Sequence, residues 1–182
     1  MTTYCYDTEF LEDGKTIELI SIGIVCEDDG REYYAVNADM PVRRIRKHQW
    51  LMNNVVPGLP KPAGDWNNHM PRRWLFDYHN PVVKKRSRIA TEVRDFLLAA
   101  DKPRLWANYL AYDHVLLAQL WGPMSRLPSG IPMWTHELQQ EIERVPGFQA
   151  PVQASGHHNA LEDARHNVAV LRALRECGAV PS

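Results

Sequence analysis

Asp7 and Glu9 stand two residues apart in Tyr4-Cys-Tyr-Asp-Thr-Glu-Phe-Leu11, and the two-residue period of a strand projects both carboxylates from one face. An isolated Asp-x-Glu is also common on the solvated face of an edge strand, so the pair needs company before it signifies chemistry. Asp113 supplies some. It lies in Trp106-Ala-Asn-Tyr-Leu-Ala-Tyr-Asp-His114, at the junction of a predicted strand and a predicted helix, where open α/β sheets place reactive groups. Its plain alternative is a charge favoured by the helix dipole.

The run Gly156-His-His-Asn-Ala-Leu-Glu-Asp-Ala164 supplies more. Asn159 followed three residues later by Glu162 has the form of a capping box, which starts a helix at Asn159 and leaves His158 in the approaching loop. Asp163 then falls in the second turn, at the margin of an apolar stripe formed by Leu161, Ala164, Val168, Leu171 and Leu174. A fixed acid beside a histidine free to swing suits a metal ligand next to a movable base. An exposed loop histidine and a first-turn charge are the plain alternatives, and His157 and His166 carry only those.

Four carboxylates gathered in one place repel and resist desolvation unless divalent cations neutralise them. Hard oxygen ligands favour Mg²⁺ or Mn²⁺. Two such ions about 3.5 to 4 Å apart can clamp an in-line displacement at phosphorus. A neutral histidine with an ordinary pKa of about 6.5 can accept the proton of the attacking water, which makes His158 the candidate general base.

The surrounding pattern must position these groups. Thr2 to Phe10, Ile17 to Cys26 and Arg31 to Val36 read as strands joined by the turns Glu12-Asp13-Gly14 and Asp28-Asp29-Gly30, an antiparallel meander. A helix is predicted from Pro41 through Leu51, then a loop from Pro57 to Pro81 containing five prolines. Val82 to Ala100 has helical spacing, Arg104 to Asn108 reads as a strand, and Ala111 to Trp121 as a helix. Met133 to His136 is a candidate short strand, Glu137 to Val145 a helix, and Asn159 to Glu176 the closing helix. Hairpin strands followed by alternating helices and strands imply an α/β fold with a mixed central sheet flanked by helices.

The 182 residues fit one domain spanning 1–182, with a basic, proline-rich insertion at about 41–95. The net charge of -1 conceals that segment, which holds 12 Lys/Arg against 4 Asp/Glu, while the rest of the chain holds 9 against 18. Arg43, Arg44, Arg46 and Lys47, then Arg72 and Arg73 beside Trp74, then Lys84, Lys85, Arg86 and Arg88 alternate with aromatics in the manner of a single-strand nucleic-acid surface. For any one of them, solubility is the simpler role; Trp66 and Trp74 can equally pin the loop to the core. No apolar run approaches the roughly 18 residues of a membrane helix, and the N-terminus lacks signal-peptide form. A cytoplasmic protein is expected. Three cysteines, odd in number and far apart, oppose a disulfide framework and a paired-ligand zinc site.

Taken jointly, Asp7-Thr8-Glu9, Asn108-x-x-x-Tyr112-Asp113 and His158-x-x-x-x-Asp163 resemble the three successive motifs of the DEDDh 3′-5′ exonucleases, in order and across nearly the whole chain. Within that superfamily of RNase T and oligoribonuclease-like enzymes, the acidic start followed by Phe10-Leu11 looks most like the small mycobacterial-type 3′-5′ exoribonucleases. Many relatives instead continue with a Thr-Thr-Gly-like sequence after the glutamate.

The resemblance implies an RNase H-like fold and a two-metal hydrolysis that releases nucleoside 5′-monophosphates from an RNA 3′ end. Asp7 would bridge two Mg²⁺ ions, with Mn²⁺ able to substitute, and Glu9 and Asp163 would complete the nucleophile-side metal. Asp113 would serve the other directly or through water. Thr8, Phe10, Leu11, Asn108 and Tyr112 are the implied substrate contacts. A homodimer is implied by RNase T-like relatives. A DNA exonuclease remains open, since these motifs do not sense the 2′-hydroxyl, as does a nucleic-acid-binding module without turnover.

Overall fold

Strands β1 (Thr2–Glu12), β2 (Ile17–Cys26) and β3 (Glu32–Asn37) form the antiparallel meander that the turn residues call for. At the first turn the Asp13 carboxylate accepts the backbone N–H groups of Lys15 and Thr16, the Asx arrangement that closes such loops. In the computed structural model, which describes residues 1–64 and 74–180, the sheet is completed by β4 (Val83–Lys84), β5 (Pro103–Ala107) and β6 (His136–Glu137). The spatial order is β4-β3-β2-β1-β5-β6, and β4, β5 and β6 each run parallel to their neighbour. This is the mixed, helix-flanked sheet expected of an RNase H-like fold.

Helices α1 (Val42–Ile45) and α2 (Gln49–Asn54) follow β3; α3 (Arg86–Leu98) follows β4; α4 (Ala111–Gln119) follows β5. Helix α5 (Leu138–Glu143) leads on to α6 (Ala160–Glu176). Three boundaries differ from the sequence pattern. The expected helix from Pro41 breaks at His48, whose extended backbone lets its Nδ1 accept the Leu51 N–H and cap α2. The expected helix over 82–100 begins only at Arg86, because β-branched Val83 and Lys84 pair beside Val36 and Asn37 instead. Of the short strand expected at 133–136 only His136 pairs, and it continues to Glu137. Trp66, Arg72 and Arg73 lie outside the described residues.

Both faces of the central strands are covered, which is why β2 reads as almost unbroken Ile and Val. On one face Tyr4, Tyr6, Ile22 and Ile24 pack with Ile89, Val93 and Leu97 of α3 and Leu116 and Leu117 of α4. On the other, Cys5, Val25 and Trp106 meet Ala164, Val168, Leu171 and Leu174 of α6. A third cluster joins Leu11, Ile20 and Val36 to Ile45, Leu51, Met52 and Val55. The three cysteines are free thiols. Among the described residues no helix is long and apolar enough to cross a membrane.

Gly23 fixes how α6 meets the sheet. It pairs with Asp7 across β1 and β2, and a Cβ built there would lie 2.3 Å from the Ala160 carbonyl oxygen and 2.4 Å from the Leu161 nitrogen. Only a residue without a side chain admits backbone that close. Farther along the helix, Asn167 donates its side-chain N–H to the Tyr6 carbonyl at 3.1 Å, so the first half of α6 is seated on β1 and β2 from both ends. A Gly23→Ala substitution meets rigid backbone on the facing side. Urea denaturation is expected to show a loss of about 2 kcal/mol or more, and a loss near zero would show that α6 does not seat on this residue.

Candidate active site

Two distant pieces of sequence deliver the acids. Asp7 and Glu9 project from β1 toward α6, and Asp163 closes that helix's first turn, its N–H bonding to the Asn159 carbonyl at 2.9 Å. The helix thus begins one residue later than the capping pattern implied, and Asp163 falls in the first turn rather than the second. Asn159 caps as expected, accepting the N–H groups of Leu161 and Glu162. The Glu162 carboxylate pairs with Arg165, so only half of the capping box forms. One oxygen each from Asp7, Glu9 and Asp163 lies within 4.8 Å of the others. Gln153 steadies the trio by donating its side-chain N–H to Asp163 Oδ1 at 2.7 Å.

Asp113 arrives from the other side of β1, in the first turn of α4. It is not within that tight trio. Its Oδ1 instead accepts both the backbone N–H of Thr8 at 2.8 Å and the Thr8 hydroxyl at 2.5 Å, which ties it to the residue between Asp7 and Glu9. The end of β5 that launches α4 is fixed in turn by Glu137, whose carboxylate accepts the N–H groups of Tyr109 and Leu110.

The electrostatics of the cluster are those of acids short of positive charge. Burial and then the charges of Asp113, Glu9 and Asp163 hold the Asp7 carboxyl well above the usual carboxylate range. Burial and the Asp163 and Asp113 charges push Glu9 up to about 8. Burial raises Asp113 to about 6, with the two Thr8 hydrogen bonds opposing it. Such a set of hard, crowded oxygens fits a divalent cation.

His158 sits in the loop just before α6, in a left-handed backbone conformation at φ 62°, partly buried against Trp50 of α2. Their ring centroids are 4.7 Å apart at an interplanar angle of 76°. Among the implied substrate contacts, Tyr112 is half exposed and its ring lies 5.5 Å from that of Phe10. The Asn108 Oδ1 is buried and has no hydrogen-bond partner among the described residues. Thr8 is buried and spends its donors on Asp113. Leu11, expected at the substrate, is instead buried at 3% exposure among Ile20, Val36 and Leu51. Alternation along β1 sets Leu11 on the same face as Glu9, and there Ile45, Leu51 and Met52 cover it.

The basic residues divide. Arg44 pairs with Glu18 and Asp13, and Lys84 and Arg88 pair with Glu92. Arg43, Arg46 and Lys47 are exposed and have no carboxylate partner among the described residues. Gly23, Gln153 and Trp50 were not singled out from sequence. A lone glycine inside an Ile/Val strand is a signal of close backbone approach, whereas nothing local marks Gln153. A cavity of about 680 Å³, lined by Arg104, Trp106, Trp134 and His136 among others, lies at the β5 edge and includes none of the acids.

A mixed six-stranded sheet with acids meeting at β1 and the start of the last helix is the RNase H-like α/β nuclease arrangement. The fold matches that of Schizosaccharomyces pombe Pop2p, solved in its Mg²⁺- and Mn²⁺-bound form, with a TM-score of 0.50 over 99% of this chain and 86% of that one at 13% identity. No protein-family model matches the chain. In sequence the chain is 42% identical over 173 residues to the 3′-5′ exoribonucleases Rv2179c and MT2234.1 of Mycobacterium tuberculosis strains H37Rv and CDC 1551, covering 94% of this chain and 92% of theirs. It belongs to that 3′-5′ exoribonuclease family.

The raised carboxyls give a stability signature. Folded, metal-free protein keeps the Glu9 proton up to about pH 8, whereas the unfolded chain releases it near 4.5. The folded state therefore binds more protons between those values, and the contribution of Glu9 to stability, full at low pH, is lost as pH rises through that window. In chelator, the melting temperature is expected to fall less from pH 5 to 8 in Glu9→Gln than in the parent, and parallel curves would contradict the assignment.

Proposed function

We propose that the protein hydrolyses RNA from its 3′ end and releases nucleoside 5′-monophosphates. The carrying observation is the meeting of Asp7, Glu9 and Asp163 within 4.8 Å from segments more than 150 positions apart. The names of the two mycobacterial relatives support RNA as the substrate, and the bound ions of Pop2p support Mg²⁺ or Mn²⁺ as the metal.

In this reading Asp7, Glu9 and Asp163 hold divalent cations, two in all, and Asp113 joins them from across β1. Bound there, the ions supply charge neutralisation and polarisation of the reacting phosphate and water. The chain's own residues do the rest. His158 accepts the proton of the attacking water. Thr8 orients the Asp113 carboxylate through its two hydrogen bonds, and Gln153 orients Asp163. Phe10 and Tyr112 form an aromatic pair suited to stacking on the terminal bases. Arg43, Arg46 and Lys47, in a basic insertion at about 41–95, meet the phosphates upstream.

No group in this set reads the 2′-hydroxyl directly, so a DNA exonuclease is the second reading, and matched RNA and DNA oligonucleotides separate the two. The reading extends to a homodimer on the RNase T-like resemblance, which equilibrium sedimentation reads directly.

Asp7→Ala is expected to abolish Mg²⁺-dependent mononucleotide release while leaving the folded structure intact, because it removes a carboxylate that burial and its neighbours already disfavour. A time course on labelled RNA, with chelator as control and circular dichroism on the same sample, checks both halves. An Asp7→Ala protein as active as the parent would end the assignment.

A further inference from the structure

Nothing in the proposed chemistry explains how a histidine outside the helix is kept aimed. The backbone of its loop is set locally. The Asn159 N–H bonds back to the Gly156 carbonyl at 3.2 Å, and Gly156 takes a left-handed φ of 79° at a point where a Cβ would lie 2.7 Å from the Glu162 side chain. The imidazole is set from elsewhere. Among the described residues, its ring contact is with Trp50, edge to face at 4.7 Å.

Trp50 is itself well founded. It lies in the first turn of α2, next to Leu51 and Met52, which are buried in the cluster with Ile20 and Val36. The Asn54 side chain donates to the Trp50 carbonyl at 2.8 Å. A second tie runs beside it: Asn159 donates its side-chain N–H to the Gly58 carbonyl at 3.3 Å. The ring contact and this hydrogen bond therefore link residues 49–58 to the two residues, His158 and Asn159, that join the loop to α6.

We propose that Trp50 is a positioning residue for His158, and that residues 49–58 act as a clamp that limits the orientations open to the imidazole. This rests on the assignment of His158 as general base. Edge-to-face contact restrains a ring without supplying or accepting a proton, so Trp50 acts on the reaction through His158 alone. The outer face of Trp50 stays half exposed, but its energetic effect on turnover runs through the ring it touches.

The test is a double-mutant cycle on a labelled RNA oligonucleotide with Mg²⁺, comparing Trp50→Ala, Trp50→Phe, His158→Ala and Trp50→Ala/His158→Ala. A misaimed base costs about 10- to 100-fold in kcat. Trp50→Ala is expected to lower kcat by that factor, to leave KM for RNA and the melting temperature near the parent's, and to cause no further loss in the His158→Ala background. Trp50→Phe, which keeps an aromatic edge, is expected to recover most of the rate. A Trp50→Ala effect confined to KM, or an equal fold-loss with and without His158, overturns the clamp.

Proton NMR separates this from the assignment it rests on. Loss of the Trp50 ring is expected to move the His158 imidazole signals and broaden them, whether or not the protein turns over RNA. Unmoved signals overturn the clamp. A parent that releases no nucleotide while those signals move sinks the catalytic assignment and leaves the contact standing.

Discussion

Backbone meets backbone where the first turn of α6 lies on β2, and no side chain intervenes because position 23 has none. That contact decides the distance between Asp163 and the acids of β1. Gly23 pairs with Asp7 in the sheet, so whatever lies over Gly23 lies beside Asp7. A Cβ there would lie 2.3 Å from the Ala160 carbonyl oxygen, so the start of the helix, and Asp163 with it, would have to move off the sheet. The apolar stripe of α6 and the Asn167 bond to Tyr6 hold the helix down, but they act along its length and would tolerate a small tilt. The glycine does not.

Seating the helix so closely creates the electrostatic character of the site. Carboxyls pressed together under a helix lose water and face one another, and Asp7 and Glu9 respond by favouring their protonated forms, while Asp113 does so through its own burial on the α4 side. The fold tolerates this because the penalty is confined to one layer, between strands that are otherwise largely buried and well paired. Asp113 is eased by the two donors of Thr8, which makes it less dependent on a cation than Asp7. The arrangement is thereby asymmetric: a tight trio on the α6 face, and a single acid held at the α4 face by the strand itself.

Much of this was legible in the residues. The meander followed from turn chemistry and from alternation, and the acids were legible because each sat at a place where local pattern alone defines a direction: alternation on β1, and helix starts at Leu110 and Asn159. What the residues could not show was contact across the chain. Leu11 reads as a substrate contact beside Glu9 until Ile45, Leu51 and Met52 are seen to cover it. Arg44, Lys84 and Arg88 read as members of a nucleic-acid surface until Glu18, Asp13 and Glu92 are seen to neutralise them. Gln153 and Trp50 have ordinary surroundings in sequence and acquire meaning only from a neighbour 10 or more than 100 positions away.

The cluster of Leu11, Ile20 and Val36 with Ile45, Leu51, Met52 and Val55 has a consequence of its own. Residues 42–58 are fastened to the sheet by side-chain packing and the Arg44 ion pairs, whereas the strands share a continuous ladder of hydrogen bonds. Segments held that way open before the body of a protein does. On opening, this one would carry off the exposed arginines and the ring beside His158 together, with the acids still assembled. Heat would then silence the molecule in two stages, a reversible loss of competence as this packing and the ties of Arg44 and Gly58 give way and, above it, the collapse of the sheet.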